Sequence, residues 1–151
     1  MSIIYRLGTL EECVQVVEQI AEFAHKESVE SLSARLEGKP RPLIQVAQQG
    51  DDILGFKIGY QIDETTFYSW FGGVSCLARN KGVAQKLLDI QEQWVTDQGY
   101  KQLKVKSRNQ FPAMLRMLIK NGYLIENYEQ KEPLLESRIH FVKQLGECHK
   151  N

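Results

Sequence analysis

Residues 67–88 constrain this chain more than any other stretch. Phe67, Tyr68, Trp70, Phe71 and Val74 make an apolar, aromatic-rich run that reads as a strand. From Val83 onward, Leu87, Leu88, Gln91, Trp94 and Val95 fall on or beside one face of a helix. Between strand and helix lies a short basic loop, with Gly82 where the helix begins. The first turn of a helix has backbone N–H groups without intrahelical partners, at the positive end of the macrodipole. A glycine there lets a ligand approach the backbone closely, and Arg79 and Lys81 add charge suited to an anion. The layout fits a phosphate group. The plainer alternative is a strand-to-helix connection whose charges are merely solvated.

The six residues Arg79-Asn80-Lys81-Gly82-Val83-Ala84 resemble the Arg/Gln-x-x-Gly-x-Gly/Ala signature of the GCN5-related N-acetyltransferases. Their context strengthens the likeness. A strand precedes them, a long helix follows, then a short strand over 102–106, then a helix ending in Lys120-Asn121-Gly122-Tyr123, similar to the family's Gly-Phe pair. The likeness is clear over 67–123 and rests on element order elsewhere. It implies an acetyl-coenzyme A cosubstrate whose pyrophosphate is held by the backbone amides of Arg79, Asn80, Lys81, Gly82, Val83 and Ala84. It further implies that the backbone of Val74 and Cys76 pairs with the pantetheine arm like an added strand. The N–H of Val74 would polarise the thioester carbonyl, and Asn109 would hydrogen-bond the pantetheine. Read from its position alone, Asn109 is equally a turn or helix-capping residue.

Taken in order, the chain reads as a strand over 2–7 and a helix from Thr9-Leu10-Glu11-Glu12, whose spacing is that of a capping box. Apolar positions Cys13, Val16, Val17, Ile20, Phe23 and Ala24 extend that helix to about His25. A second helix covers 28–36 and stops at Gly38-Lys39-Pro40-Arg41-Pro42. Strands at 43–48, 53–62 and 67–74 follow, the first two as a hairpin. Then come the helix over 83–98, a strand over 100–106, a helix opening at Pro112, and strands over 123–129 and 137–145. The order β-α-α-β-β-β-α-β-α-β-β predicts a single α/β domain over 1–151. A mixed central sheet has helices on both faces, as in the GCN5-related acetyltransferase fold. Adjacent Gly72 and Gly73 mark a bulge or a close ligand approach.

Bulk properties narrow the function classes. Lys+Arg and Asp+Glu balance at 19 each, which removes the overall electrostatic footprint of a nucleic-acid binder. The local run 101–108 still carries four cations. Cys13, Cys76 and Cys148 have no metal-ligand spacing, and Cys13 reads as a small core residue. Without a signal-peptide layout at the N-terminus or an apolar run long enough to span a bilayer, the expectation is a cytoplasmic protein with reduced thiols and no membrane partner. The strands near the C-terminus could pair in a homodimer.

The catalytic groups are less legible. Counting back from Gly122, the position where many family members carry a tyrosine acid holds Leu118. The position of the usual glutamate base falls near Ser69 and Trp70. Tyr60, Tyr68 and Tyr123 could supply a phenol, and Tyr68 is the candidate carried forward. Trp70 and Phe71, with Phe56 and Tyr60, could shape an apolar acceptor pocket. Alternation along a strand would put Trp70 and Phe71 on opposite faces. His25, Glu27, Glu30 and Arg35 face either the acceptor or solvent. The expected activity is acetyl transfer to a primary amine of a small molecule or protein. The alternatives are an acyl-coenzyme A-binding module without turnover and an interaction protein on the same fold.

Overall fold

The computed structural model describes residues 2–20, 23 and 26–146. Its centre is a seven-stranded sheet of β1 (Ile4–Leu7), β2 (Leu43–Gln49), β3 (Asp52–Asp63), β4 (Thr66–Val74), β5 (Gln102–Arg108), β6 (Leu124–Glu129) and β7 (Arg138–Gln144), in the order β1-β2-β3-β4-β5-β7-β6. All neighbouring pairs are antiparallel except β4 and β5. Helices α1 (Leu10–Val17) and α2 (Val29–Leu36) cover one face. Helices α3 (Val83–Asp97) and α4 (Pro112–Lys120) cover the other. The mixed sheet with helices on both faces and the predicted element order are as expected.

Helix α1 starts where the capping box places it. Thr9 Oγ1 accepts from the Glu12 amide at 3.2 Å, and Glu12 Oε1 accepts from the Thr9 amide at 3.0 Å. Glu12 also grips Arg6 of β1 at 2.6 Å, so the cap ties helix to sheet. The helix ends at Val17, well before the predicted end near His25, which itself lies outside the described residues. The reason is a contact invisible in local sequence. The Lys26 ammonium donates to the Val17 carbonyl at 3.2 Å and to that of Ile20. It adds a second donor to carbonyls that already accept the Ile20 and Phe23 amides, and so braces the turns that follow the helix. Phe23 is thus freed to stack on Phe71 and Phe111, with ring centroids 5.5 and 6.1 Å away.

Two apolar layers follow from these placements. Between the sheet and α1–α2 lie Cys13, Val16, Val17, Ile20, Leu32, Val46, Phe56 and Ile58. Burial drives the Cys13 thiol up to about 12, so it is an inert core residue as predicted. On the other side, Phe67, Leu88, Val95, Leu103, Leu118 and Phe141 pack between α3, α4 and the sheet. The β6 edge is exposed along nearly its whole length.

A bulge changes the predicted face assignment in β4. Ile58 opposes Phe71 while Gly59 opposes Ser69, leaving Trp70 as the extra residue. Trp70 and Phe71 therefore both pack toward α1 and α2. The expectation that they face opposite ways assumed unbroken alternation.

Candidate functional site

The geometry of the site is set by a parting of strands. β4 pairs with β3 along its whole length, but with β5 only from Thr66↔Gln102 to Ser69↔Val105. Beyond Ser69, β5 continues along β7 as far as Arg108. The β5-facing backbone edge of residues 70–74 is left without a strand partner. Such an edge is a template for an extended ligand. The Ser75 amide donates to the Leu54 carbonyl at 2.8 Å, toward β3. Successive amides of an extended strand face opposite edges, so the Val74 N–H faces the gap.

β4 ends at Val74, and Cys76 opens a 3₁₀ turn (Cys76–Ala78). The turn is fixed by Ser75 Oγ, which accepts from the Leu77 amide at 3.2 Å. Cys76 is exposed and lies outside the extended segment expected to pair with a pantetheine arm. Arg79, Asn80, Lys81 and Gly82 follow, all exposed, then buried Val83 and exposed Ala84. Asn80 and Gly82 are both left-handed, at φ 69° and 76°. Gly82 caps α3 without any side-chain hydrogen bond, so the first-turn amides have no side-chain acceptor. A Cβ built on Gly82 meets nothing within 4 Å, so the space over this turn is open. The open helix end and the unpaired β4 edge fit a long anionic ligand with an extended arm.

Asn109 sits at the end of β5. Its amide Nδ2 donates to the Leu134 carbonyl at 3.1 Å, which turns its Oδ1 into the acceptor available for other contacts. Tyr68 lies on the α1–α2 side, below the point where the strands part. Its ring is 5.5 Å from that of Tyr60, and Lys106 Nζ sits 5.7 Å over it. Burial drives the Tyr68 phenol up to about 12. It holds its proton at neutral pH and can donate, but it cannot serve as a base. Leu118 is completely buried, and Ser69 is buried in the sheet. Tyr123 is also spoken for: its hydroxyl donates to Glu92 at 2.7 Å.

The wall on the α1–α2 side combines aromatic and cationic groups. The Arg35 guanidinium stacks over Trp70 at 4.7 Å and donates to the Tyr60 hydroxyl at 3.2 Å. Glu27 instead accepts from Ser31 at 2.6 Å, and Glu30 lies in the first turn of α2. The cations of 101–108 are largely neutralised. Lys104 pairs with Glu126 at 3.2 Å, Lys106 with Glu129 at 3.9 Å, and Arg108 with Glu136 at 3.1 Å. His140 also engages Glu129 and holds its carboxyl below the usual range. Much of the charge of the basic run is thus met within the chain.

One group near the site has no counterpart in the sequence reading. Lys57 of β3 is 6% exposed and lies across from Gly72, in the part of β4 that β5 has left. Its signal in the sequence is indirect: a lysine between Gly55 and Gly59, in a strand that both helix layers cover. Among the described residues, no helix is long and apolar enough to cross a membrane. Nor does any cluster of three or more His, Cys, Asp or Glu side chains form that could hold a metal.

No family model and no curated protein sequence matches the chain. Solved structures do. The ribosomal-protein-S18-alanine N-acetyltransferase from Escherichia coli superposes with a TM-score of 0.84 at 13% identity, over 99% of this chain and 98% of that one. Ard1 from Thermoplasma volcanium gives 0.84 at 14% identity, over 97% and 100%. The yncA protein of Salmonella typhimurium, solved with its cofactor acetyl-CoA, gives 0.76 at 14% identity, over 100% and 98%. Sequence identities this low speak for architecture alone, and the architecture agrees along the whole length: the chain has the fold of the GCN5-related N-acetyltransferases.

Proposed function

We propose that the protein transfers the acetyl group of acetyl-coenzyme A to a primary amine. The observation that carries this reading is the parting of β4 from β5 beyond Ser69, directly upstream of the open α3 N-terminus. In this reading the first-turn amides of α3 and the loop 79–84 hold the pyrophosphate, and residues 70–74 pair with the arm. The acceptor nitrogen, neutral at attack, adds to the thioester carbonyl carbon. The carbonyl oxygen takes up charge facing the Val74 N–H, a preorganised donor of the kind that stabilises an oxyanion. The C–S bond then breaks and coenzyme A leaves as its thiol. Tyr68, protonated and on the acceptor side, is suited to donate a hydrogen bond and not to remove a proton. The acceptor belongs among small molecules or protein amines that fit the aromatic wall of Trp70, Phe71 and Tyr60.

A second reading is a module that binds acyl-coenzyme A without turnover. It is favoured by Leu118 and Ser69, which put neither a phenol nor a carboxylate at the two usual positions. Both readings predict cofactor binding, and release of thiol in the presence of an amine panel separates them.

Thermal unfolding with acetyl-coenzyme A is the direct test. Ligand at a hundred times its dissociation constant should add about 2.7 kcal/mol. For a domain of this size that is a rise of roughly 5–10 °C. ATP at the same concentration should not reproduce it. In Gly82→Trp the rise should vanish. The indole occupies open space, so the fold survives with a strain of about 1–2 kcal/mol from the left-handed backbone. No shift at millimolar ligand would refute both readings.

A further inference from the structure

On the α3 side of the sheet, a polar row lies where an apolar one would be expected. Gln45 of β2, Lys57 of β3 and Gly72 of β4 are consecutive cross-strand partners, so they share a face. Gln45 is 5% exposed and Lys57 6%. A Cβ on Gly72 would sit 3.7 Å from Lys57 Nζ, so the missing side chain leaves the ammonium uncovered toward β4. Gln91 of α3, fully buried, closes the row from above, with its Nε2 3.2 Å from a Cβ built on Gly59. Three side-chain atoms here have no hydrogen-bond partner: Gln45 Oε1, Gln91 Oε1 and Gln91 Nε2.

The lysine itself is not matched. Among the described residues no carboxylate lies within ion-pair distance of Lys57. Glu92 of α3 is the acid whose field reaches it, and Glu92 is already engaged by the Tyr123 hydroxyl and by Lys143 at 3.0 Å. A buried ammonium without a counter-ion is costly unless something negative is brought to it. Structural lysines of this kind are rare. This one faces the free segment of β4, where the thioester arm lies in the reading above.

We propose that the Lys57 ammonium is the group that receives the negative charge of the departing coenzyme A sulfur. The proposal rests on the acetyl-coenzyme A reading. As the C–S bond breaks, its electron pair stays on sulfur, and the thiolate pairs with the Lys57 ammonium. The amine nitrogen releases its own proton to solvent, and the thiolate takes one from solvent as coenzyme A leaves. Atoms and charge balance as thioester plus amine giving amide plus thiol. Gln45 and Gln91 act as positioning residues that hold the ammonium toward Gly72, through ordered water at their open amide atoms.

The test needs no acceptor. Free coenzyme A is bound to saturation, verified by thermal shift, and its thiol is titrated by thiolate absorbance. An unperturbed thiol titrates near about 8.5. Bound to the wild-type protein it should titrate at least a unit lower, a tenfold gain in thiolate-to-thiol ratio at fixed pH. Bound to Lys57→Met or Lys57→Gln it should return to the free value or rise above it, as apolar surroundings dictate. A wild-type complex that titrates like free coenzyme A overturns the proposal while leaving cofactor binding intact. So does a variant that keeps the lowered value. Failure of coenzyme A to bind at all overturns the cofactor reading and this proposal with it.

Discussion

Lys57→Met is expected to make the protein more stable at neutral pH, not less. Burial holds the Lys57 ammonium down to about 8, against Glu92, whose charge pulls it back up. The unfolded chain keeps its lysine near about 10.4, so between these values it binds more protons than the folded protein. Stability supplied by this group is therefore lowest below pH 8 and recovers as pH rises through that window. The full deficit corresponds to about 3 kcal/mol. Methionine keeps the stem's packing and removes the charge. The variant should melt roughly 6–12 °C higher at pH 7. The gain should shrink toward zero as pH approaches 10. Cys13 and Tyr123, both held upward, work in the opposite direction on the alkaline side. They do so equally in both proteins, so the difference between variant and wild type isolates Lys57. A variant destabilised at pH 7 would mean that the ammonium is well partnered, and the charge-acceptor proposal would lose its physical motive. A protein that tolerates such a deficit is keeping the lysine for something other than the fold.

What could be read from the chain, and what could not, divides along the range of the interactions involved. Helix starts are local. Thr9 with Glu12, and Pro112 at the first turn of α4, are decided by neighbours in sequence, and the structure has them where the pattern puts them. The loop at 79–84 is local in the same sense, because Gly82 needs its left-handed backbone whatever surrounds it. The end of α1 is not local, since Lys26 reaches back nine residues to the Val17 carbonyl. The cations of β5 look like one patch until β6 and the turn before β7 bring Glu126, Glu129 and Glu136 across the sheet. Lys57 is the most instructive case. The sequence Phe56-Lys57-Ile58-Gly59-Tyr60 alternates as a half-exposed strand does, which reads Lys57 as the solvent side. β3 is instead interior to the sheet and covered on both faces, a condition that only topology reveals. The bulge at Trp70 likewise depends on pairing with β3 and leaves no local mark beyond the nearby glycines.

Gly59→Ala should cost about 3 kcal/mol, at the upper end for a single added methyl in a packed interior. The new Cβ would lie 2.5 Å from Phe67 Cε2, 2.7 Å from the Tyr68 carbonyl oxygen and 3.2 Å from Gln91 Nε2. None of these can yield cheaply. The Phe67 ring is fully buried and wedged between Trp94 and Tyr100, with centroids 5.4 and 5.3 Å away. The Tyr68 oxygen is backbone of β4, fixed on both sides by β3 and β5. Relief would require β3 and β4 to shift against α3, next to the point where β5 departs. A fall of roughly 6–12 °C in melting temperature is expected, with weaker stabilisation by acetyl-coenzyme A in the protein that remains folded. Gly72→Ala is the informative contrast. Its nearest clash is 3.1 Å from the Phe56 carbonyl oxygen, with the flexible Lys57 stem beyond. Its loss of stability should be the smaller of the two, while its effect on the thiol of bound coenzyme A should be the larger. Melting of Gly59→Ala at the wild-type temperature would show that the Phe67 ring and the β4 backbone do not press on β3 as described. Gln91, the third neighbour of that Cβ, belongs to the polar row around Lys57, so this one substitution also tests the packing on which the charge-acceptor role stands.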